Sequence, residues 1–269
     1  MMTADSPARR GRGPLTRANL VKFSRHATGV AGFLLAWQLI GVSGLVKWLP
    51  PAADTLSRTV ALAVDPVFLE NLRATLTACA IGLPLAVLVG VPIGVLLGTI
   101  PAAEEMTRVF VEFLRPIPSV ALIPLALFFF TPEINAKVAL IVFASSWPIL
   151  INTLYGVRDV DPLAKETLRA FGFGPGAVIW RVSLPSAAPF IATGVRLAAS
   201  ITLILAISVE YIVGGASGIG SFLIQASTGI GADAMIDVIA ALLWAGAIGL
   251  VLNTVLVRAE RRLYRWQLP

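Results

Sequence analysis

The sequence holds one histidine, one cysteine and few charges: 13% of its 269 residues are Asp, Glu, Lys or Arg, against 57% hydrophobic. A soluble domain carries about 25% charged residues, so the scarcity of charge places this chain in a membrane. The single His26 lies in a basic N-terminal stretch, which leaves the apolar segments without a histidine general base. The single Cys79 sits in an apolar run, so neither a disulfide framework nor a cysteine metal site can form. No H-E-x-x-H, no paired acid motif within an apolar segment and no G-x-x-x-x-G-K-[ST] loop occurs. These absences argue against an intramembrane hydrolase, against a resident metal or other cofactor, and against ATP binding by this chain.

What the chain does have is apolar length. A spanning helix needs about 20 mostly apolar residues, and candidates lie at 29–46, 75–100, 110–130, 138–157, 191–213 and 236–257. The first is longer than a signal-peptide core and lacks a small-x-small cleavage site before Lys47, so it reads as a retained span. Arg115, Pro116, Pro118 and Pro124 interrupt the third, which predicts a kinked or tilted segment there. Six spans place both termini on one side. All but Lys47, Arg58, Arg73 and Lys137 of the 21 lysines and arginines then fall on that side, which the positive-inside bias makes cytoplasmic. The same clustering at span ends argues against nucleic acid as the reason for the net charge of +6. The expected organisation is an all-α polytopic protein: a basic, disordered tail (1–28), a membrane domain (29–257) and a second basic tail (258–269).

Within the second candidate span Gly82, Ala86, Gly90, Gly94 and Gly98 recur every four residues, a small-residue stripe that reads as close helix packing within the chain, with a subunit contact or a moving joint as the alternative. Two intramembrane charges are candidates for a solute pathway. Glu210, near the outer end of the fifth span, reads either as a pathway carboxylate or as an interfacial residue satisfied by water or backbone. Arg196, near the inner end, reads as a snorkelling cation or a pathway residue. "GGASGIG" (214–220) lacks a phosphate-loop spacing and reads as a flexible turn; the tryptophans read as interface anchors or packing.

Between the fourth and fifth spans lies a polar connection, 158–190, containing "KETLRAFGFGPGAVIWRVSLP" (165–185). Asp161–Pro162 supplies an N-cap with proline at the first helical position, and Gly172 supplies a left-handed residue to end that helix. Gly174–Pro175 restarts a second short helix, expected to stop at Leu184–Pro185. Helices this short are unstable alone in water, so membrane ends or a partner must hold them.

The order Glu166, five residues, Gly172, nine residues, Val182-x-Leu184-Pro185 resembles the cytoplasmic loop signature of permease subunits of bacterial ATP-binding-cassette importers. Thr167 and Leu168 stand where that signature has two alanines. Further similar stretches are "LRPIPSVALIPLALFFF" (114–130), "KVALIVFASSWPILINTLYGV" (137–157), "LPSAAPFIATGVRLA" (184–198) and "VEYIVGGASGIGSFL" (209–223), and they point to the branch importing sulfonates, taurine, nitrate or bicarbonate. The resemblance implies a coupling helix formed by Glu166, Thr167, Leu168, Arg169, Ala170, Phe171 and Gly172, framed by Val182, Leu184 and Pro185. It implies two ATPase subunits beneath the membrane, a second permease subunit (a homodimer by default), surrounding lipid and an extracytoplasmic solute-binding protein. The location it implies is the bacterial inner membrane. A channel or secondary transporter not coupled to ATP is the rival reading.

Overall fold

A computed structural model describes residues 17–263 other than 47, 132, 215–216 and 230–231. The expectation of a disordered tail therefore falls partly outside the described residues, and from Arg17 onward the chain is helical. By its internal contacts the chain divides into two units, Met1–Leu56 and Ser57–Pro269. In the first, α1 runs Arg17–Ser43 and its apolar part is only Ala27–Ser43, shorter than a full crossing. Gly44, at φ +69°, takes the left-handed turn that stops it. The following prolines fold back on α1: Trp37 Nε1 donates to the Pro50 carbonyl (3.0 Å), and Gln38 Oε1 accepts from Ala53 N (2.9 Å).

The helix α2 (Ala52–Leu62) leads into α3 (Pro66–Thr99), which starts nine residues before the apolar run. Asp65 sets that start: its carboxylate accepts from Val67 N and Phe68 N, with Pro66 as the first helical residue. The helix continues through Pro84 and Pro92. The third apolar segment is broken as its prolines predict. α4 (Pro101–Leu114) gives way at Arg115–Pro118 to a 3₁₀ turn (Ser119–Leu122) and α5 (Ile123–Phe129), with an 82° bend. Then follow α6 (Glu133–Arg158), α7 (Pro162–Ala170), α8 (Pro175–Val178), a π-helical segment (Ile179–Ser183), α9 (Leu184–Val213), α10 (Ile219–Ser227) and α11 (Ala232–Leu263). Among the described residues there is no strand. Four helices are long and apolar enough to cross a membrane, or five if the bent pair counts as one span.

The stop expected at Leu184–Pro185 does not occur. α8, the π segment and α9 form one helix over Pro175–Val213. A proline removes a hydrogen bond and crowds the carbonyl four residues earlier. The wider π turn just before Pro185 shifts the pairing and relieves that crowding.

α3, α6 and α9 make the core of the second unit, with Ala78, Ile123, Ile141, Leu203 and Ala206 packed among them. The glycine stripe of α3 faces α6. A Cβ built on Gly94 would lie 2.6 Å from the Leu150 carbonyl oxygen and 2.6 Å from Thr153 Cβ; at Gly90 it would lie 2.9 Å from the Ser146 carbonyl. These contacts are intrachain, as the stripe suggests. Gly94→Ala is therefore expected to cost about 1–3 kcal/mol by overpacking against backbone that cannot rotate away. Gly29→Ala, with nothing within 4 Å, serves as the neutral control in thermal unfolding of detergent-purified protein. Elsewhere the surface is greasy: Phe33, Phe110, Phe128 and Leu250 are exposed, and little of α11 is buried. An apolar exterior of this extent belongs in lipid or against other subunits.

Candidate functional site

The connection after α6 is built from short-range signals. The Asp161 carboxylate accepts from Leu163 N at 2.8 Å, capping α7 behind Pro162. At the other end Gly172 has φ +82°. Gly172 N donates to the Arg169 carbonyl (2.9 Å) and Phe173 N to the Leu168 carbonyl (3.1 Å), the paired bonds of a Schellman ending. Both features are where the sequence places them.

Tethers to the rest of the protein are few. Lys165 Nζ donates to the Val157 carbonyl at the end of α6 (3.0 Å), and the Arg181 guanidinium lies 4.9 Å from the centre of the Phe173 ring. Partial burial, then Arg169, pulls the Lys165 ammonium below its ordinary lysine value. No residue of α7 is buried. Glu166, Thr167, Arg169, Ala170, Phe171 and Gly172 are exposed and Leu168 is half-buried; behind them Val182 and Leu184 are half-buried and Pro185 exposed. Leu163 (67% exposed) and Phe171 (78%) show that α7 offers apolar side chains to whatever meets it. The elbow leads straight into the 39-residue helix Pro175–Val213.

Glu210 lies near the far end of that helix, and its surroundings differ from an interfacial carboxylate satisfied by water. It is fully buried. Lys137 Nζ donates to Oε1 at 2.7 Å, while Thr75 Oγ1 (2.8 Å) and Gly220 N (3.1 Å) donate to Oε2. Lys137, itself buried, also donates to the Ser217 carbonyl at 3.2 Å. Thr75 Oγ1 accepts from Ile219 N and Asn71 Oδ1 from Gly218 N, both at 2.8 Å. The 217–220 turn is thus bolted to α3, α6 and α9 by its backbone rather than loose. Glycine is required there for space, since a Cβ on Gly220 would collide with the Ile207 carbonyl and Glu210. Sequence reasoning singled out Glu210 but not Lys137, Asn71 or Thr75. The available signal was opposite charges near matching ends of two apolar segments, because an intramembrane acid seeks a partner.

Arg196 is also paired: its Nη1 lies 3.2 Å from Glu260 Oε2 on α11. A separate cleft of about 360 Å³ opens where the Arg115–Ser119 bend meets the middles of α6 and α9. Among the described residues no group of His, Cys, Asp and Glu could hold a metal ion.

Comparison with known proteins agrees with this architecture. The chain is 32% identical over 235 residues to the bicarbonate transport system permease protein CmpB of Synechocystis, covering 84% of this chain and 83% of the relative. It is 28% identical over 260 residues to the nitrate import permease protein NrtB of the same organism, covering 93% of each. Among solved structures, a chain of the inward-facing MetNI methionine ABC transporter superposes with a TM-score of 0.63 at 20% identity, over 74% of this chain and 98% of that one. At that identity the likeness speaks for the fold alone. Residues 90–267 match the family of binding-protein-dependent transport system inner membrane components, and the chain belongs to that family.

Proposed function

We propose that the chain is the permease subunit of an ATP-driven importer and forms the membrane passage for a small anion, of the kind named for its bicarbonate and nitrate relatives. In this reading six segments span the inner membrane with both termini cytoplasmic: the basic tails 1–28 and 258–269 flank the domain 29–257. The Ala27–Ser43 stretch and the bent α4–α5 pair count as spans. Residues Glu166–Gly172 are the surface that docks into an ATPase subunit, with Val182, Leu184 and Pro185 setting the frame. Two ATPase subunits, a second copy of this chain and an extracytoplasmic binding protein complete the transporter.

The observation that carries this reading is the elbow. A helix capped at both ends, buried nowhere and bearing exposed Leu163 and Phe171, is joined to one continuous helix through the core. Such a helix turns docking below into motion at the other end. Glu210 and Arg196 then support the passage from behind, since each is held in an ion pair.

The test is to purify the tagged chain with its cognate ATPase and binding protein and reconstitute them in vesicles. ATP-dependent uptake of bicarbonate, nitrate or taurine is the expected result. Uptake by the chain alone, without ATP, would instead establish the channel or secondary-transporter reading.

A further inference from the structure

We propose that one face of α9, carrying Thr193, Leu197, Ser200, Ile204, Ser208 and Tyr211, is a wall of the solute passage. The inference rests on the importer reading above and says where in the membrane that passage runs.

The six positions are three or four residues apart, so they fall on one side of the helix for about five turns. That side is uncovered. Leu197 (49%), Ile204 (66%) and Tyr211 (45%) are exposed, as is Ser200, and Thr193 and Ser208 are half-buried. Hydroxyls therefore interleave with aliphatic side chains along it. The uncovered side of α3 is different: Leu76, Ile81, Leu85, Leu88, Ile93 and Leu96 make it apolar, and Thr77 within it donates back to the Arg73 carbonyl at 2.8 Å. Such a surface suits lipid, where every polar group must be satisfied inside the protein.

The α9 face does not meet that condition. Ser208 does, through its own backbone, donating to the Ile204 carbonyl at 2.8 Å. Among the described residues the hydroxyls of Ser200, near the middle of the helix, and of Thr193 have no partner. An uncovered hydroxyl without a partner is costly against hydrocarbon and at no disadvantage in water. The face therefore belongs to a wet surface within the membrane.

Two further observations agree. Leu197 and the adjoining Ile201 form the α9 side of the cleft of about 360 Å³, which is also lined by Arg115, Ser119 and Asn152. The hydroxyl face thus opens into a cavity with polar groups in its walls. The charges of α9 are meanwhile engaged elsewhere, Glu210 buried with Lys137 and Arg196 paired with Glu260. The wall that remains is neutral. A hydroxyl both donates and accepts, so it can replace part of the hydration shell of a small oxyanion. Without a fixed cation the wall does not hold that anion back, and conduction needs binding weak enough to leave.

The test uses the complete reconstituted transporter with one cysteine introduced at a time: Ser200→Cys, Ser208→Cys or, on the apolar side of α3, Leu88→Cys. The native Cys79 is buried, and the wild type gives its background. A sulfonate-bearing methanethiosulfonate, supplied on both sides of the vesicle, is the probe. It attacks ionised thiols, which form in water rather than in lipid, so both serine variants are expected to react at least about tenfold faster than Leu88→Cys. Reaction should then abolish the ATP-driven uptake of bicarbonate, nitrate or taurine that each serine variant retains, and leave that of Leu88→Cys unchanged. A serine variant that imports nothing before reaction is judged on its labelling rate. Import of none of the three by the wild type overturns the importer reading, and this passage with it. Given import by the wild type, three results overturn the passage wall alone. Reaction no faster than at Leu88→Cys would place the face in lipid. A disulfide between the Ser200→Cys residues of two copies, with the probe excluded, would place it in a packed subunit contact. Uptake that survives complete reaction would place the passage elsewhere.

Discussion

A Lys137→Met variant is expected to lose about 3–5 kcal/mol of stability, because it leaves the Glu210 carboxylate buried without its counter-charge. Glu210 is 0% exposed, and its remaining donors, Thr75 Oγ1 and Gly220 N, do not balance a full negative charge. The double variant Lys137→Met/Glu210→Gln should recover most of the loss, since a neutral amide can keep the hydrogen bonds while no isolated charge remains. The pair is thus expected to add little net stability but to make single substitutions costly. The turn above it should respond first. Gly218, Ile219 and Gly220 each donate a backbone N–H into this network, so amide exchange there should accelerate in the single variant well before global unfolding. Thermal unfolding in detergent with hydrogen exchange provides both readouts. A single variant as stable as the double one would show that water reaches the pair.

The parts of this architecture that were legible in the sequence are those set by neighbours along the chain. The α7 helix follows from Asp161–Pro162 at one end and Gly172 at the other, because capping and left-handed termination are decided within a few residues. The α3 stripe is legible as a close-packing face because a repeat of four keeps its residues on one side of a helix, although its partner, α6, is not. The beginning of α3 at Asp65–Pro66 carries a good local signal too, but a search led by apolar length starts too late. Pro185 misleads for a different reason. Proline is read as a stop, yet a π turn just ahead of it absorbs the lost bond, and nothing local marks that turn. The buried pair and the cleft join residues brought together only by tertiary packing: Lys137 and Glu210 are 73 positions apart, and the cleft draws on three separate elements. Single-residue hydropathy carries no record of such meetings.

Gly172→Val is expected to leave the protein folded and abundant while uptake falls by roughly tenfold or more. The backbone at Gly172 has φ +82°, and a Cβ built there meets nothing within 4 Å. Packing therefore plays no part, and the cost is conformational: about 1–2 kcal/mol for an L-residue forced left-handed, and more for a β-branched one. That is too small to unfold a bundle whose core lies elsewhere. It is enough to make another backbone arrangement preferable, and the N–H groups of Gly172 and Phe173 that close α7 would then let go of the Arg169 and Leu168 carbonyls. Among the described residues the remaining side-chain tethers are the Lys165 hydrogen bond and the Arg181–Phe173 contact, with Ala164 and Leu168 half-buried, so α7 would swing relative to the helix beginning at Pro175. Relief of 1–2 kcal/mol shifts the population of well-placed helix by about tenfold. Gly174→Ala is the control, since Gly174 has an ordinary φ of −69° and equally open surroundings. Glu166→Lys should reproduce the loss without strain, by reversing a charge on the exposed face of α7. The decisive measurement pairs vesicle uptake with ATP hydrolysis. Uptake lost while the ATPase dissociates or hydrolyses ATP futilely identifies α7 as the coupling element. Wild-type uptake in both Gly172→Val and Glu166→Lys, with the ATPase retained, reduces it to a connector.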